Sequence, residues 1–144
     1  MSTSLDAARE ARTTGDFTAL VHAIPYLEFL GVTVEHREGR RVGVMKFAEH
    51  LVGNPTLPAL HGGTLAGLLE SMAHLECLAQ TEVKQLPKTI TLTVDYLKSG
   101  KPKDTYAVAR VLKSGRRVTT LHVLAFQDDE RAPIAAATVH LKVG

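Results

Sequence analysis

The chain has 144 residues, 44% of them hydrophobic and 22% charged, with 17 basic and 15 acidic side chains. That length suits one domain with its own core, and the balance excludes a disordered tail or a fibre and gives no reason to expect a nucleic-acid partner. A membrane-spanning helix is excluded as well, because the longest uncharged stretch, Leu51 to Leu69, carries Asn54, His61, two prolines and four glycines.

Residues 4 to 22 read as a short helical region. Leu5, Ala8 and Ala11 share one face, and Gly15-Asp16 can break and recap the chain before Phe17, Leu20 and Val21. The first 17 residues mix acids with arginines and contain no apolar run, so a cytoplasmic location is expected. Pro25 leads into the apolar segment Tyr26 to Leu30, closed by Gly31. From Val32 the period changes to two and, after a turn at Glu38-Gly39-Arg40, resumes up to Phe47, which predicts a hairpin.

Residues 48 to 60, with Gly53-Asn54-Pro55 and Pro58, predict no regular element. After His61-Gly62-Gly63 comes a proline-free stretch, Thr64 to Thr81. Leu65, Leu68, Leu69, Met72 and Leu75 recur in it at three- and four-residue spacing, which predicts one long apolar helix. The period is two again from Thr89 to Tyr96. Strands are then expected over Tyr106–Lys113, Val118–Gln127 and Ile134–Val143, joined by short turns. Short connections favour antiparallel neighbours, and a mostly apolar helix needs cover on several sides. The expectation is therefore an α+β fold: an antiparallel sheet wrapped around one long central helix, in a single domain over residues 1–144 with a helical extension over residues 1–24.

Three features of the sequence can carry chemistry. Gly62 and Gly63 leave backbone N–H groups bare at a helix start, where orphan donors and a partial positive charge favour an anion or a developing oxyanion. Glu70 is the only charge between Gly62 and Ala73, and a carboxylate partly withdrawn from water there could act as general base or nucleophile rather than as a solvated side chain. Between Lys98 and Arg117, seven basic residues fall within 20 positions and would suit a phosphorylated ligand, or simply solvate the hairpins. A metal is not expected, since Glu70 and His74 at i,i+4 lack a second helical histidine. No Gly-x-Ser-x-Gly elbow is present, and the single cysteine, Cys77, reads as a buried apolar-helix residue.

Gly53-Asn54-Pro55 followed by His61-Gly62-Gly63-Thr64-Leu65-Ala66-Gly67-Leu68-Leu69-Glu70 resembles the hotdog-fold acyl-CoA thioesterases, in particular the phenylacetate-pathway (PaaI-like) and 4-hydroxybenzoyl-CoA thioesterase group. The resemblance runs from Leu30-Gly31 to the final strands. It implies that the Gly62 N–H meets the thioester carbonyl, with Gly63 allowing close approach and His61 orienting the loop or polarising the site. It further implies that Glu70 attacks the carbonyl or activates water, and that Asn54 holds the water or the carbonyl. Thr89 and His74 stand near polar positions of relatives, and Tyr26, Leu27, Phe29 and Leu30 near the acyl end. Lys113, Arg116 and Arg117 would meet the nucleotide end of coenzyme A, which is needed only as part of the substrate. The same resemblance implies a homodimer, with Glu70 of one chain facing the helix start of the other, and commonly a dimer of dimers. Two alternatives stand beside hydrolysis. One is a non-catalytic acyl-CoA-binding module on the same fold. The other is a hydroxyacyl-carrier-protein dehydratase-like enzyme, suggested by His50-x-x-Gly53-x-Pro55-x-x-Pro58, although Thr64 stands where that enzyme has its acid.

Overall fold

A computed structural model describes residues 4–144; the first three residues of the expected helical extension lie outside the described residues. Three helices open the chain: α1 (Ser4–Thr14), α2 (Thr18–Ala23) and α3 (Pro25–Leu30). Gly15, at φ 79°, separates the first two, and Gly31, at φ 73°, ends the third in the left-handed conformation that glycine adopts without steric cost. Ala7, Ala8 and Ala11 form the buried face of α1, which lies against the long helix α4 (Gly62–Gln80). The apolar segment after Pro25 is thus a helix, with the proline at its first turn where its missing N–H costs nothing.

The expected hairpin is present as β1 (Val32–Arg37) and β2 (Arg40–Met45). The region expected to be irregular holds a short 3-10 turn, Glu49–Leu51, and two paired strands, β3 (Val52–Asn54) and β4 (Ala59–Leu60). Strands β5 (Lys88–Tyr96), β6 (Thr105–Ser114), β7 (Val118–Phe126) and β8 (Ala135–Lys142) follow α4. The main sheet has the order β1-β2-β6-β7-β8-β5, antiparallel throughout. Helix α4 touches β2 near one end of this order and β5 at the other, so the sheet curls around it as the hotdog resemblance implies.

Period-two alternation decides which side chains face the helix. Thr119, Leu121, Val123 and Ala125 of β7, with Ala135, Ala137, Val139 and Leu141 of β8, are buried beneath it. Several of these positions are small, and at Gly43 a Cβ would approach the Met72 sulfur to 2.8 Å, so the helix sits close to the sheet because the sheet gives it room. Leu65, Leu68, Leu69, Met72, Leu75 and Leu78 of α4 are almost wholly buried, each contributing about 2 kcal/mol by leaving water. Among the described residues one charge is buried in this core. Glu76, 6% exposed, receives a two-pronged bond from Arg41 of β2, at 3.1 and 2.6 Å, and a third from Gln80. Among the described residues no helix is long and apolar enough to cross a membrane.

Candidate active site

Helix α4 carries two groups of chemistry-bearing residues, one at its start and one in its middle. At the start, His61 is the N-cap: its Nδ1 accepts the Gly63 N–H at 2.8 Å, so the proton of the neutral ring sits on Nε2. The Thr64 and Leu65 N–H groups bond the His61 carbonyl. That leaves the Gly62 N–H as the helix-start donor with no partner among the described residues. The cap is held from two sides. The His61 N–H bonds the Leu51 carbonyl at 2.8 Å, and Gly53 lets β3 pass so close that a Cβ there would stand 2.9 Å from the His61 Cα.

Tyr96, at the end of β5, was not singled out by its sequence, since nothing in a strand-end tyrosine announces a role. Its hydroxyl donates to the Gly62 carbonyl at 2.7 Å, and its ring lies so near that a Cβ on Gly62 would meet it at 3.3 Å. The glycine at this helix start therefore makes room for an aromatic ring as well as baring a donor.

In the middle of the helix, Glu70, Ser71 and His74 line an otherwise largely apolar pocket of about 370 Å³, with Thr89 of β5 across from them and Ile24, Leu27, Leu75 and Leu78 among its apolar walls. His74 Nε2 stands 2.9 Å from the Thr89 hydroxyl. Burial holds the His74 imidazole below its ordinary pKa, an effect the nearby Glu70 charge partly offsets, so the ring is neutral at pH 7. The Glu70 carboxylate is half-buried and makes no hydrogen bond or ion pair with any described residue. A carboxylate free of structural duties in a pocket of this kind has its lone pairs available to a water or to a carbonyl carbon.

The two groups do not meet within one chain. Glu70 lies eight residues beyond Gly62, about 12 Å along the helix axis at 1.5 Å per residue. Asn54 belongs to neither: its Oδ1 accepts the N–H groups of Thr56 and Leu57 within its own exposed turn. Lys113, Arg116 and Arg117 project into solvent around the β6–β7 turn, outside the Glu70 pocket, and form no ion pair among the described residues. Among the described residues no group of three or more His, Cys, Asp or Glu side chains is placed to hold a metal ion. Burial raises the Cys77 thiol, which is enclosed in the core and away from the pocket.

A family model described as "Acyl-CoA thioesterase N-terminal domain" matches residues 53–141. The Escherichia coli (strain K12) protein named "Medium/long-chain acyl-CoA thioesterase YigI" is 30% identical to this chain, in an alignment spanning the whole of both. A protein of the same name from Salmonella typhimurium is also 30% identical over the whole of both chains. Among solved structures, a protein from Chromobacterium violaceum matches with a TM-score of 0.77 at 28% identity, covering 95% of this chain and 96% of that one. A protein from the thioesterase superfamily matches with a TM-score of 0.77 at 26% identity, covering 99% and 100%. A Bacillus halodurans protein whose crystal structure contains CoA shares the fold, with a TM-score of 0.70 at 23% identity over 98% and 91% of the two chains.

Proposed function

The chain belongs to the acyl-CoA thioesterase family, and from that premise we propose that it hydrolyses medium- or long-chain acyl-CoA to the free acid and coenzyme A, with Glu70 as the reacting carboxylate. The observation that carries this reading is the unpaired Glu70 in an apolar pocket large enough for an acyl chain. The chain-length class is that of the Escherichia coli relative's name. In this reading the acyl chain lies along the apolar walls of the pocket with the thioester carbonyl at Glu70.

Attack on the carbonyl carbon, by Glu70 itself or by a water that Glu70 deprotonates, drives the π electron pair onto oxygen. The Gly62 N–H of a second copy of the chain receives that charge. Collapse restores the C=O bond and breaks the C–S bond, and sulfur leaves with the electron pair and takes up the proton that Glu70 has removed from water, or one from solvent. Where Glu70 itself has attacked, water then hydrolyses the mixed anhydride, which releases the acid and restores the carboxylate. One oxyanion donor contributes about 3–4 kcal/mol in studied hydrolases, and a positioned base about 10²–10⁴-fold in rate. These are enough for turnover without a metal or other cofactor, coenzyme A entering only as part of the substrate.

Two features support a site shared between copies. The 12 Å separation keeps Glu70 from the Gly62 of its own chain. Strand β5, nine residues long, is an edge of the main sheet with Ile90 and Tyr96 more than half exposed, and such an edge is suited to pairing with another chain. We assign Lys113, Arg116 and Arg117 to the phosphates of coenzyme A, Thr89 to ordering the reacting groups through His74, and the protein to the cytoplasm, where acyl-CoA is made and used. The test is thiol release from short, medium, long-chain and aryl acyl-CoAs and from an acyl-carrier-protein thioester. Turnover of one acyl-CoA class supports the reading. Tight acyl-CoA binding without any turnover would make the chain a binding module instead, and turnover of the carrier-protein thioester alone would replace the substrate.

A further inference from the structure

One wall of the Glu70 pocket is seated in a particular way. Tyr26 of α3 rests its hydroxyl on Gly67 of α4, so tightly that a methyl group at Gly67 would come within 2.5 Å of the hydroxyl oxygen and 3.2 Å of the ring carbon that bears it. Gly67 precedes Glu70 by three residues, so both lie on one face of the helix, and Tyr26 lines the same pocket as Glu70. The ring stacks on Phe29 at 6.3 Å between centroids and 9° between planes. Phe29 in turn meets the edge of His50 at 4.8 Å, and His50 donates from Nε2 to the Phe29 carbonyl at 2.6 Å. The Tyr26 hydroxyl itself bonds no described residue. Packing therefore holds the ring, and the missing side chain at Gly67 decides where it comes to rest.

From Glu70 to Leu78 the pocket follows α4 for eight residues, about 12 Å. Tyr26 stands at the Glu70 end of that length and Leu78 at the other, so the ring borders the first carbons of the acyl group and not its tail. A straight chain is slender at those carbons. A group that is aromatic or branched beside the carbonyl needs the volume the ring fills.

We propose that Tyr26 is a specificity-determining residue, whose ring, set in place by Gly67, makes the pocket accept acyl groups that are unbranched next to the thioester and reject aryl and α-branched ones. The proposal rests on the thioesterase reading above. One methylene of mismatch in an apolar pocket is worth about tenfold or more in kcat/KM, so a whole ring gives a readable effect.

The experiment compares kcat/KM for octanoyl-CoA and benzoyl-CoA in wild type, Tyr26→Ala, Tyr26→Phe and Gly67→Ala, with calorimetric affinities for both thioesters alongside. Tyr26 is 47% exposed, so its substitutions spare the core. In Tyr26→Ala the benzoyl-to-octanoyl ratio is expected to rise about tenfold. Gly67→Ala, which pushes the ring off the helix, is expected to move the ratio in the same direction, and Tyr26→Phe to leave it within about twofold because the ring is kept. An unchanged ratio in both Tyr26→Ala and Gly67→Ala, with octanoyl-CoA still hydrolysed, overturns the role of Tyr26 and leaves the thioesterase reading intact. A protein that hydrolyses neither thioester, yet whose affinity ratio shifts in Tyr26→Ala, overturns the thioesterase reading and keeps Tyr26 as the wall.

Discussion

His61 caps the helix that starts at Gly62 through one bond, from the Gly63 N–H to its own Nδ1 at 2.8 Å. That bond ties the geometry of the bare Gly62 donor to a side chain, so the stability of the helix start depends on it and, in the proposed mechanism, the rate does too. His61→Ala is expected to cost about 1 kcal/mol in urea unfolding, the usual worth of an N-cap, and to lower kcat as the helix start frays. His61→Asn, which caps by its own side-chain oxygen, should recover most of the stability. Equal unfolding midpoints for wild type and His61→Ala would contradict the capping role.

The pocket histidine gives a pH dependence whose sign follows from burial. The folded His74 resists protonation, while in the unfolded chain it takes up a proton near the ordinary value of about 6.5. Below that pH the unfolded state binds more protons than the folded state, so stability falls as pH drops through this window and is fully present above it. Melting curves between pH 7.5 and 5.5 should therefore slope less steeply for His74→Gln than for wild type. Parallel slopes would mean that His74 is solvated.

Arg41, half-buried, and Glu76, buried, bind β2 to the second half of α4 at the edge of the core. Arg41→Met strands the Glu76 carboxylate with only Gln80 beside it, at an expected cost of about 3 kcal/mol. The double variant Arg41→Met with Glu76→Leu should regain most of that loss, since an apolar pair needs no desolvated charge. Chemical denaturation of the three proteins decides it, and a double variant no more stable than Arg41→Met would contradict the account.

A site divided between two copies makes a prediction of its own. In the proposed mechanism Glu70→Gln lacks the reacting carboxylate, and Gly62→Val, which crowds the Tyr96 ring, disturbs the oxyanion donor. Each alone should be inactive. Unfolded together and refolded as a mixture, they should regain thiol release, because a mixed dimer holds one site with both intact parts. No recovery in a mixture that size-exclusion chromatography shows to be dimeric would place both parts in one chain.

The long helix was legible because its leucines recur at helical spacing with no proline to stop them, and β5 to β8 because apolar stretches of strand length, clearest as alternation in β5, are separated by turn residues. Residues 48–60 hid the β3–β4 pair, since strands of three and two residues are too short to show a period. The i,i+4 spacing put Glu70 and His74 on one face, and they do line one pocket. Asn54 is a different case: the same Asn-Pro sequence that marks a turn keeps its side-chain oxygen inside that turn. Nothing in the sequence distinguishes Glu76, because its partner, Arg41, lies 35 residues earlier. Tyr26 on Gly67 and Tyr96 on Gly62 were illegible for the same reason, as both join a helix glycine to an aromatic ring on a distant element.

The most direct test is thiol release by wild type and Glu70→Gln, side by side, on the best straight-chain acyl-CoA. A loss of at least about two orders of magnitude in kcat with KM little changed is the expected result, the mark of a group that acts in the transition state. A Glu70→Gln protein that turns over at the wild-type rate would remove Glu70 from the reaction and contradict the account.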